Sequence, residues 1–327
     1  MKRFAAGFVL ALLLASTATA ADDKMPPLKP LKGTPTPSEP KDKDHFVFIV
    51  AGDNRPKEPT DPQGDSVKKI FKAIKDEKPA FVLWSGDTIY GKNPEDKKKI
   101  HDEYKEFLDI AADGDAAVFN APGNHEMADH GNCPNAEMLK LYLKHTGQAA
   151  PYGSFDYGNS HFIALDSDEP DPYPDQCNCL LQPDKTKPTG YISAAQLALL
   201  SSDLAANASK KHIFIFLHRP LEGYKKEDQL CPDNVAAMQT LFKKYPTISY
   251  VIAGHQHMYY NAQGKKSDEF CSPPKRTDPS PEPYYLVSGG AGAPLKSKGF
   301  YHYVIFTVDD DKVTAKVVPL DDKDKCK

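Results

Sequence analysis

The sequence predicts an α/β fold. Three features carry that expectation: short continuous apolar runs, helix-periodic stretches between them, and polar loops that close one run after another. The first run, His45 to Ala51, reads as a strand covered on both faces and empties into Gly52-Asp53-Asn54-Arg55. Val67, Ile70, Phe71 and Ile74 then mark one face of a helix. A second strand, Ala80 to Trp84, ends in Ser85-Gly86-Asp87-Thr88-Ile89-Tyr90. The next helix carries Ile100, Tyr104, Phe107, Leu108 and Ala111 in its stripe. A third strand, Ala116 to Asn120, leads to Pro122-Gly123-Asn124-His125-Glu126.

The middle changes character. Ser154 to Tyr157, a Gly158-Asn159 turn and His161 to Leu165 read as a hairpin, and residues 167–190 form a Pro/Asp loop. Ser193 with Gln196 three residues on is a capping box for a helix through Ala206. Strand four, His212 to Leu217, delivers His218-Arg219-Pro220. A helix near Val235 to Tyr245 precedes strand five, which closes with Tyr250-Val251-Ile252-Ala253-Gly254-His255-Gln256-His257. Tyr284 to Val287, a Gly-rich loop from Ser288 to Ala293, and strands around Tyr301 to Val308 and Lys312 to Val318 complete the chain.

Outside this core, residues 1–20 read as a secretory signal, with Lys2 and Arg3, an apolar run from Phe4 to Ala15 and a small-residue cleavage site. That run is short for a membrane span and no second one follows, so an exported protein without a stable membrane anchor is expected. Residues 21–44 are rich in Pro, Lys and Asp and read as a disordered linker, leaving 45–320 as a single domain and 321–327 as a charged tail. The net charge of −4 argues against a nucleic-acid partner. Six cysteines in an exported chain point to disulfides. Five of them (Cys133, Cys177, Cys179, Cys231 and Cys271) fall in insertions expected to brace a rim around the site.

Five strand ends thus deliver Asp53, Asp87 with Tyr90, Asn124 and His125, His218, and His255 with His257. In an open α/β sheet such ends face one crevice. Singly, a Gly-Asp is an Asx turn and His218 a core histidine; their shared position at strand ends is what points to a site. The donors are carboxylate, amide, imidazole and a phenol, without thiolate, which suits Zn, Fe or Mn better than Ca or Mg. They are too many for one tetrahedral ion. Two ions sharing a carboxylate would use them all and clamp a displacement at phosphorus, with a hydroxide as nucleophile. Of only four arginines, Arg55 and Arg219 lie in these loops, where a guanidinium fork can bind phosphate oxygens or form a structural ion pair.

Gly52-Asp53, Gly86-Asp87, Gly123-Asn124-His125-Glu126, His218 and Gly254-His255-Gln256-His257 together resemble the calcineurin-like metallophosphoesterases, in family order. Gly86-Asp87-Thr88-Ile89-Tyr90 is similar to the Gly-Asp-x-x-Tyr element of the purple acid phosphatase branch. The resemblance implies two packed mixed β-sheets flanked by helices and two metal ions, Fe with Zn, Mn or a second Fe. Asp53, Asp87, His257 and Tyr90 would bind the first ion, and Asp87, Asn124, His218 and His255 the second. Asn124 and His125 would contact substrate, with His125 as general acid or transition-state donor. The implied activity is hydrolysis of phosphate monoesters; a phosphodiesterase and a non-catalytic metal or phosphate-binding module are the alternatives. One position departs from the family: Arg55 stands where His or Gly is usual. It is expected to turn outward to substrate, while Tyr90 fills the coordination gap. Tyr259 and Tyr260 are candidates for the mouth of the crevice.

Overall fold

The computed structural model describes residues 24–130, 133–170, 190–264, 270 and 282–321. In chain order the elements are β1 (His45–Ala51), α1 (Asp65–Glu77), β2 (Val82–Trp84), α2 (Lys97–Asp113), β3 (Val118–Asn120), α3 (Asn124–Met127), α4 (Ala136–Thr146), β4 (Gly153–Tyr157), β5 (Ser160–Ala164), α5 (Ala194–Ala206), β6 (His212–Phe216), α6 (Pro232–Phe242), β7 (Ile248–Ala253), β8 (Tyr259–Asn261), β9 (Tyr284–Ser288), β10 (His302–Asp309) and β11 (Lys312–Pro319). They build two mixed sheets, one in the order β11-β10-β1-β2-β3 and one in the order β4-β5-β6-β7-β9-β8.

Alternation along β1 shows why the apolar run is continuous. Phe46, Phe48 and Val50 enter the core between the sheets, whereas Ile49 and Ala51 enter the cluster under α1 and α2. Phe48 stacks on Phe306 of its own sheet (ring centroids 5.0 Å) and meets Phe214 of the other edge-on (5.0 Å). Such offset and edge contacts add to area burial. On the outer face of the second sheet, Leu200, Leu204, Met238 and Phe242 of α5 and α6 cover Ile213, Ile215 and Val251. The predicted helices and strands thus occupy four layers. The helix expected near Val235 to Tyr245 starts earlier, at Pro232, because proline suits the first helical turn. Ser193 caps α5 by accepting from the Gln196 N–H, but Gln196's side chain bonds Asp166 and Glu169, so the reciprocal half of the capping box is absent.

The linker expectation is corrected over residues 24–44. Met25, Leu28 and Leu31 are buried, one in each of three core clusters. Leu28 donates to Ser154 O (2.9 Å) in β4, and Leu31 to Val118 O (2.7 Å) in β3. This strap therefore covers an edge strand of each sheet, which protects otherwise open ladders. The surrounding prolines lower the entropy lost on ordering it. The signal segment, 1–20, lies outside the described residues. Among the described residues no helix is long and apolar enough to cross a membrane. The two described cysteines, Cys133 and Cys231, are not free thiols; Cys177, Cys179 and Cys271 lie outside the described residues.

The hairpin is pinned to α5 by buried His161, whose ring meets Asp156 Oδ1 at 2.6 Å and Asp203 Oδ2 at 2.7 Å. Burial lowers the pKa of this imidazole, yet the hydrogen bonds to Asp203 and Asp156 win and hold it above the ordinary value. A raised folded pKa means stabilisation that is full below about 6.5 and lost as pH rises through the folded value. Urea unfolding should therefore show stability falling as pH rises above about 6.5, with His161→Gln flattening that slope. An unaltered slope in the variant would refute the assignment.

Candidate metal centre

Three of the five site loops leave the first sheet, after β1, β2 and β3, and two leave the second, after β6 and β7. The crevice therefore lies across the carboxyl ends of both sheets. Four of the predicted ligands hold left-handed backbone: Asp53 (φ 61°), Asp87 (φ 52°), His255 (φ 69°) and His257 (φ 43°). Such a conformation costs about 1–3 kcal/mol per non-glycine residue and persists only where neighbours impose it. Here they do. Asn54, between Asp53 and Arg55, donates to Gln63 Oε1 (2.8 Å) and Thr88 O (3.0 Å) and accepts from the Trp84 indole (2.8 Å). Trp84 in turn stacks on Phe71 of α1. The helix core thereby fixes the loop that carries Asp53. At Gly254 a Cβ would collide with the Asp53 carboxylate, so only glycine lets the last loop approach.

The side chains converge in two sets. Asp53, Asp87 and His257 present donor atoms that all lie within 4.8 Å of one another. In the second set, His218 Nε2 lies 3.1 Å from Asn124 Oδ1, 3.1 Å from His255 Nδ1 and 3.2 Å from Asp87 Oδ1. Asp87 belongs to both. Donors about 2.1 Å from an ion and at right angles to one another sit about 3.0 Å apart, so the second set matches the edges of a coordination polyhedron. Carbonyls orient two of the rings: His218 Nδ1 meets Ser85 O (2.7 Å) and His257 Nδ1 meets Pro294 O (2.8 Å), which leaves each Nε2 for the centre.

Electrostatics favour cations here. Burial, with Asp87 beside it, pushes Asp53 well above the usual carboxylate range against the pull of His218. Burial opposes ionisation of Asp87 too, but His218, His125 and Arg55 outweigh it and hold Asp87 below the usual carboxylate range. Two buried carboxylates that strain against each other are what bound cations relieve. The donor set therefore fits two metal ions.

Over the centre lies a cleft of about 260 Å³, lined among others by Arg55, Lys92, Asn124, His125, Arg219 and Lys296. His125 Nδ1 bonds the Tyr90 carbonyl, and Nε2 lies 4.0 Å from Asp87 Oδ2. Burial first, then Arg55 and Lys92, keep this imidazole well below its ordinary pKa, although Asp87 opposes them. Arg55 corrects an expectation. Rather than turning outward it leans over the centre, its side chain 17% exposed, with Nε 3.7 Å from Asp87 Oδ2 and NH1 donating to Pro56 O (3.0 Å). The Tyr90 ring sits edge-on to His125 (5.6 Å), with the cations of Arg55 (6.0 Å) and Lys99 (5.7 Å) near its centroid. Arg219 combines both roles considered for it: Nε donates to buried Asp168 (2.7 Å), and the guanidinium also lines the cleft, NH1 lying 3.1 Å from His255 Nε2. Tyr259 is fully buried in the core, and Tyr260 is half-buried.

Several contributors escaped the sequence reading. Lys92 and Lys296 bring two more cations to the cleft, and Asp168 anchors Arg219. Glu126, the last residue of the Gly123-Asn124-His125-Glu126 motif, organises the loops around Asp87 and Asn124 by accepting from the Asp87 and Gly123 N–H groups. No spacing rule marks such residues; only a second acidic residue close after strand β5 could have drawn attention to Asp168.

The profile of the calcineurin-like phosphoesterase family matches residues 45–259. The chain is a calcineurin-like phosphoesterase. This metallophosphoesterase shares its fold with a dimetal phosphatase from Danio rerio (16% identity, TM-score 0.59, 84% of this chain and 96% of that one). It is likewise similar to the structure of PhoD (14%, TM-score 0.53, 86% and 70%). A 3′,5′-cyclic-nucleotide phosphodiesterase of Nostoc sp. is 25% identical over 202 residues, which is 61% of this chain. The match spans 64% of that relative's length. Membership of the family implies two metals, in keeping with the donor sets above.

Proposed function

We propose that this phosphoesterase hydrolyses phosphate monoesters, as an acid-phosphatase-like enzyme of the purple branch. The observation that carries the reading is the charge of the cleft wall: outside the metal ligands, the four cations Arg55, Lys92, Arg219 and Lys296 line it against one carboxylate, Asp228. A monoester presents a dianion with three unesterified oxygens, whereas a diester presents one charge and two, so this wall matches the monoester better. Asp53, Asp87 and His257, with Tyr90, would hold one ion, and Asp87, Asn124, His218 and His255 the other; iron with zinc, manganese or a second iron suits these donors. Such ions, when bound, acidify water and neutralise phosphate charge.

The chain's own groups supply the rest. Arg55 and Lys92 attract and orient the phosphate, and Asp168 keeps Arg219 extended toward it. His125, its Nδ1 committed to the Tyr90 carbonyl, directs Nε2 into the cleft. There the substrate dianion would raise its basicity, letting it carry a proton for the leaving oxygen. The likeness to the Nostoc phosphodiesterase favours a second reading, cleavage of diesters by the same centre. Export through the signal at 1–20, to the periplasm or the exterior, and a small phosphate ester as the substrate, with neither nucleic acid nor a stable membrane anchor, are further parts of the proposal.

The test compares p-nitrophenyl phosphate with bis(p-nitrophenyl) phosphate, with iron, zinc and manganese supplied in turn. Monoester kcat/KM should exceed that of the diester at least about tenfold, and Arg55→Ala should raise the monoester KM by about tenfold, the loss of one charge-assisted hydrogen bond. Diester preference would overturn the reading, and metal binding without turnover would make the chain a binding module. With ferric iron bound, absence of a visible charge-transfer band would remove Tyr90 from the ligands.

A further inference from the structure

The residue between the two histidines of the last site loop, Gln256, is buried. Its amide grips a neighbouring turn. Oε1 accepts from the Tyr224 N–H (2.8 Å) and the Lys225 N–H (3.4 Å), and Nε2 donates to Lys225 O (2.7 Å). Gly223 permits this contact, since a Cβ there would lie 2.8 Å from the Gln256 amide. The opposite loop hangs from the same place: Lys296 donates its N–H to His257 O (3.2 Å). Asp228 and Lys296, one from each of these two loops, both line the cleft.

What the two loops hold up is aromatic. Tyr224 meets Phe270 edge-on (5.1 Å) and lies 5.8 Å from Tyr260, and Phe270 lies 5.8 Å from Tyr260. Lys298 places its ammonium 4.2 Å from the Phe270 centroid and 5.6 Å from that of Tyr224. Tyr224 is the one large hydrophobic residue, among those described, that is markedly exposed, at 40%. Its ring adjoins two others, so the exposed face belongs to an aromatic cluster and not to an isolated surface side chain. Tyr224 is four residues from Asp228, and Lys298 two from Lys296, so the cluster stands within about 7–14 Å of chain from the cleft wall.

We infer that this aromatic rim is the leaving-group subsite of the phosphoesterase, and that it selects phosphate esters whose alcohol carries a flat heteroaromatic ring, as a nucleoside does. Stacking on Tyr224 supplies affinity for the ring without reading its edges, and Lys298 adds attraction for its polar substituents. The inference rests on the phosphomonoesterase reading above, and Gln256 is the latch that sets the rim relative to the phosphate.

Adenosine 5′-monophosphate and ribose 5-phosphate separate the two ideas, because they share the same leaving oxygen and differ in the base. The metal-loaded wild type should favour the nucleotide in kcat/KM by about tenfold or more. Tyr224→Ala should reduce that preference by about tenfold, through KM, and Tyr224→Phe should keep it. Equal use of both probes by the wild type, or an unchanged preference in Tyr224→Ala, would overturn the subsite. Calorimetric titration of both probes into both proteins runs alongside. If neither probe is cleaved, the monoester reading fails, while tighter nucleotide binding that is lost in Tyr224→Ala still upholds the rim and equal binding refutes it.

Discussion

Replacing Asp87 by Asn is expected to lower kcat by about three orders of magnitude or more and to reduce bound metal from two ions to one or fewer. The substitution keeps the shape of the side chain and can keep the hydrogen bond that Asp87 Oδ1 accepts from the His125 N–H (3.1 Å). It removes the charge that both donor sets share, and it turns an amide N–H₂ toward one of them. No neighbour can substitute, because Asp53 belongs to the first set alone and Asn124 is neutral. Arg55, 3.7 Å from Asp87 Oδ2, would then face the centre without its counter-charge and further disfavour a cation. The protein should remain folded, since Asp53 is relieved of a buried like charge. Metal analysis of the purified variant, with urea unfolding as control, decides the matter. Two ions per chain with kcat within tenfold of wild type would show that Asp87 bridges nothing.

Why the ligands were legible, and much of their support was not, follows from where each kind of signal resides. Asp53, Asp87, His218 and the His255/His257 pair each end an apolar run, and the end of a buried strand is local information. Arg55 was legible as a residue but not as a direction. Its inward lean depends on Asp87 from another strand, and its family counterparts, His or Gly, give no precedent for it. Lys92 sits just beyond Tyr90, in a chain where lysine is common, so composition hid it. Met25, Leu28 and Leu31 recur every three residues through a segment whose Pro and Lys content reads as linker, and each finds a different cluster only once both sheets exist. The two-sheet architecture itself came from the family resemblance. Periodicity alone gives strands and helices, and no residue pattern says which strands share a sheet.

Glu126 offers the second large effect, and it acts through backbone rather than through a ligand. Its buried carboxylate accepts from the N–H groups of Gly123 (2.7 Å), Asp87 (3.0 Å), Thr88 and Ile89 (3.3 Å), and from the Thr88 hydroxyl (2.7 Å). Burial and the nearby Asp87 raise its pKa in spite of the Thr88 hydrogen bonds, so the site is not arranged for an easy charge. It is arranged to gather donors that a left-handed Asp87 and the start of α3 would otherwise strand. Glu126→Ala leaves four backbone N–H groups with no acceptor, at about 1–3 kcal/mol for each one not rescued by water, and a loss of about 4 kcal/mol or more is expected. Glu126→Gln keeps the volume but offers an N–H₂ where the Gly123 and Asp87 amides or the Thr88 and Ile89 amides need an acceptor. It should cost about 2–3 kcal/mol and weaken metal affinity about 10- to 100-fold, because the loops it disturbs carry Asp87 and Asn124. Urea midpoints and metal titrations of both variants provide the check. A Gln variant within about 0.5 kcal/mol of wild type and with unchanged metal affinity would mean that the two loops hold their shape without it. Stability and metal affinity falling together would instead make Glu126 the point at which the packing of the first sheet is converted into the geometry of the centre.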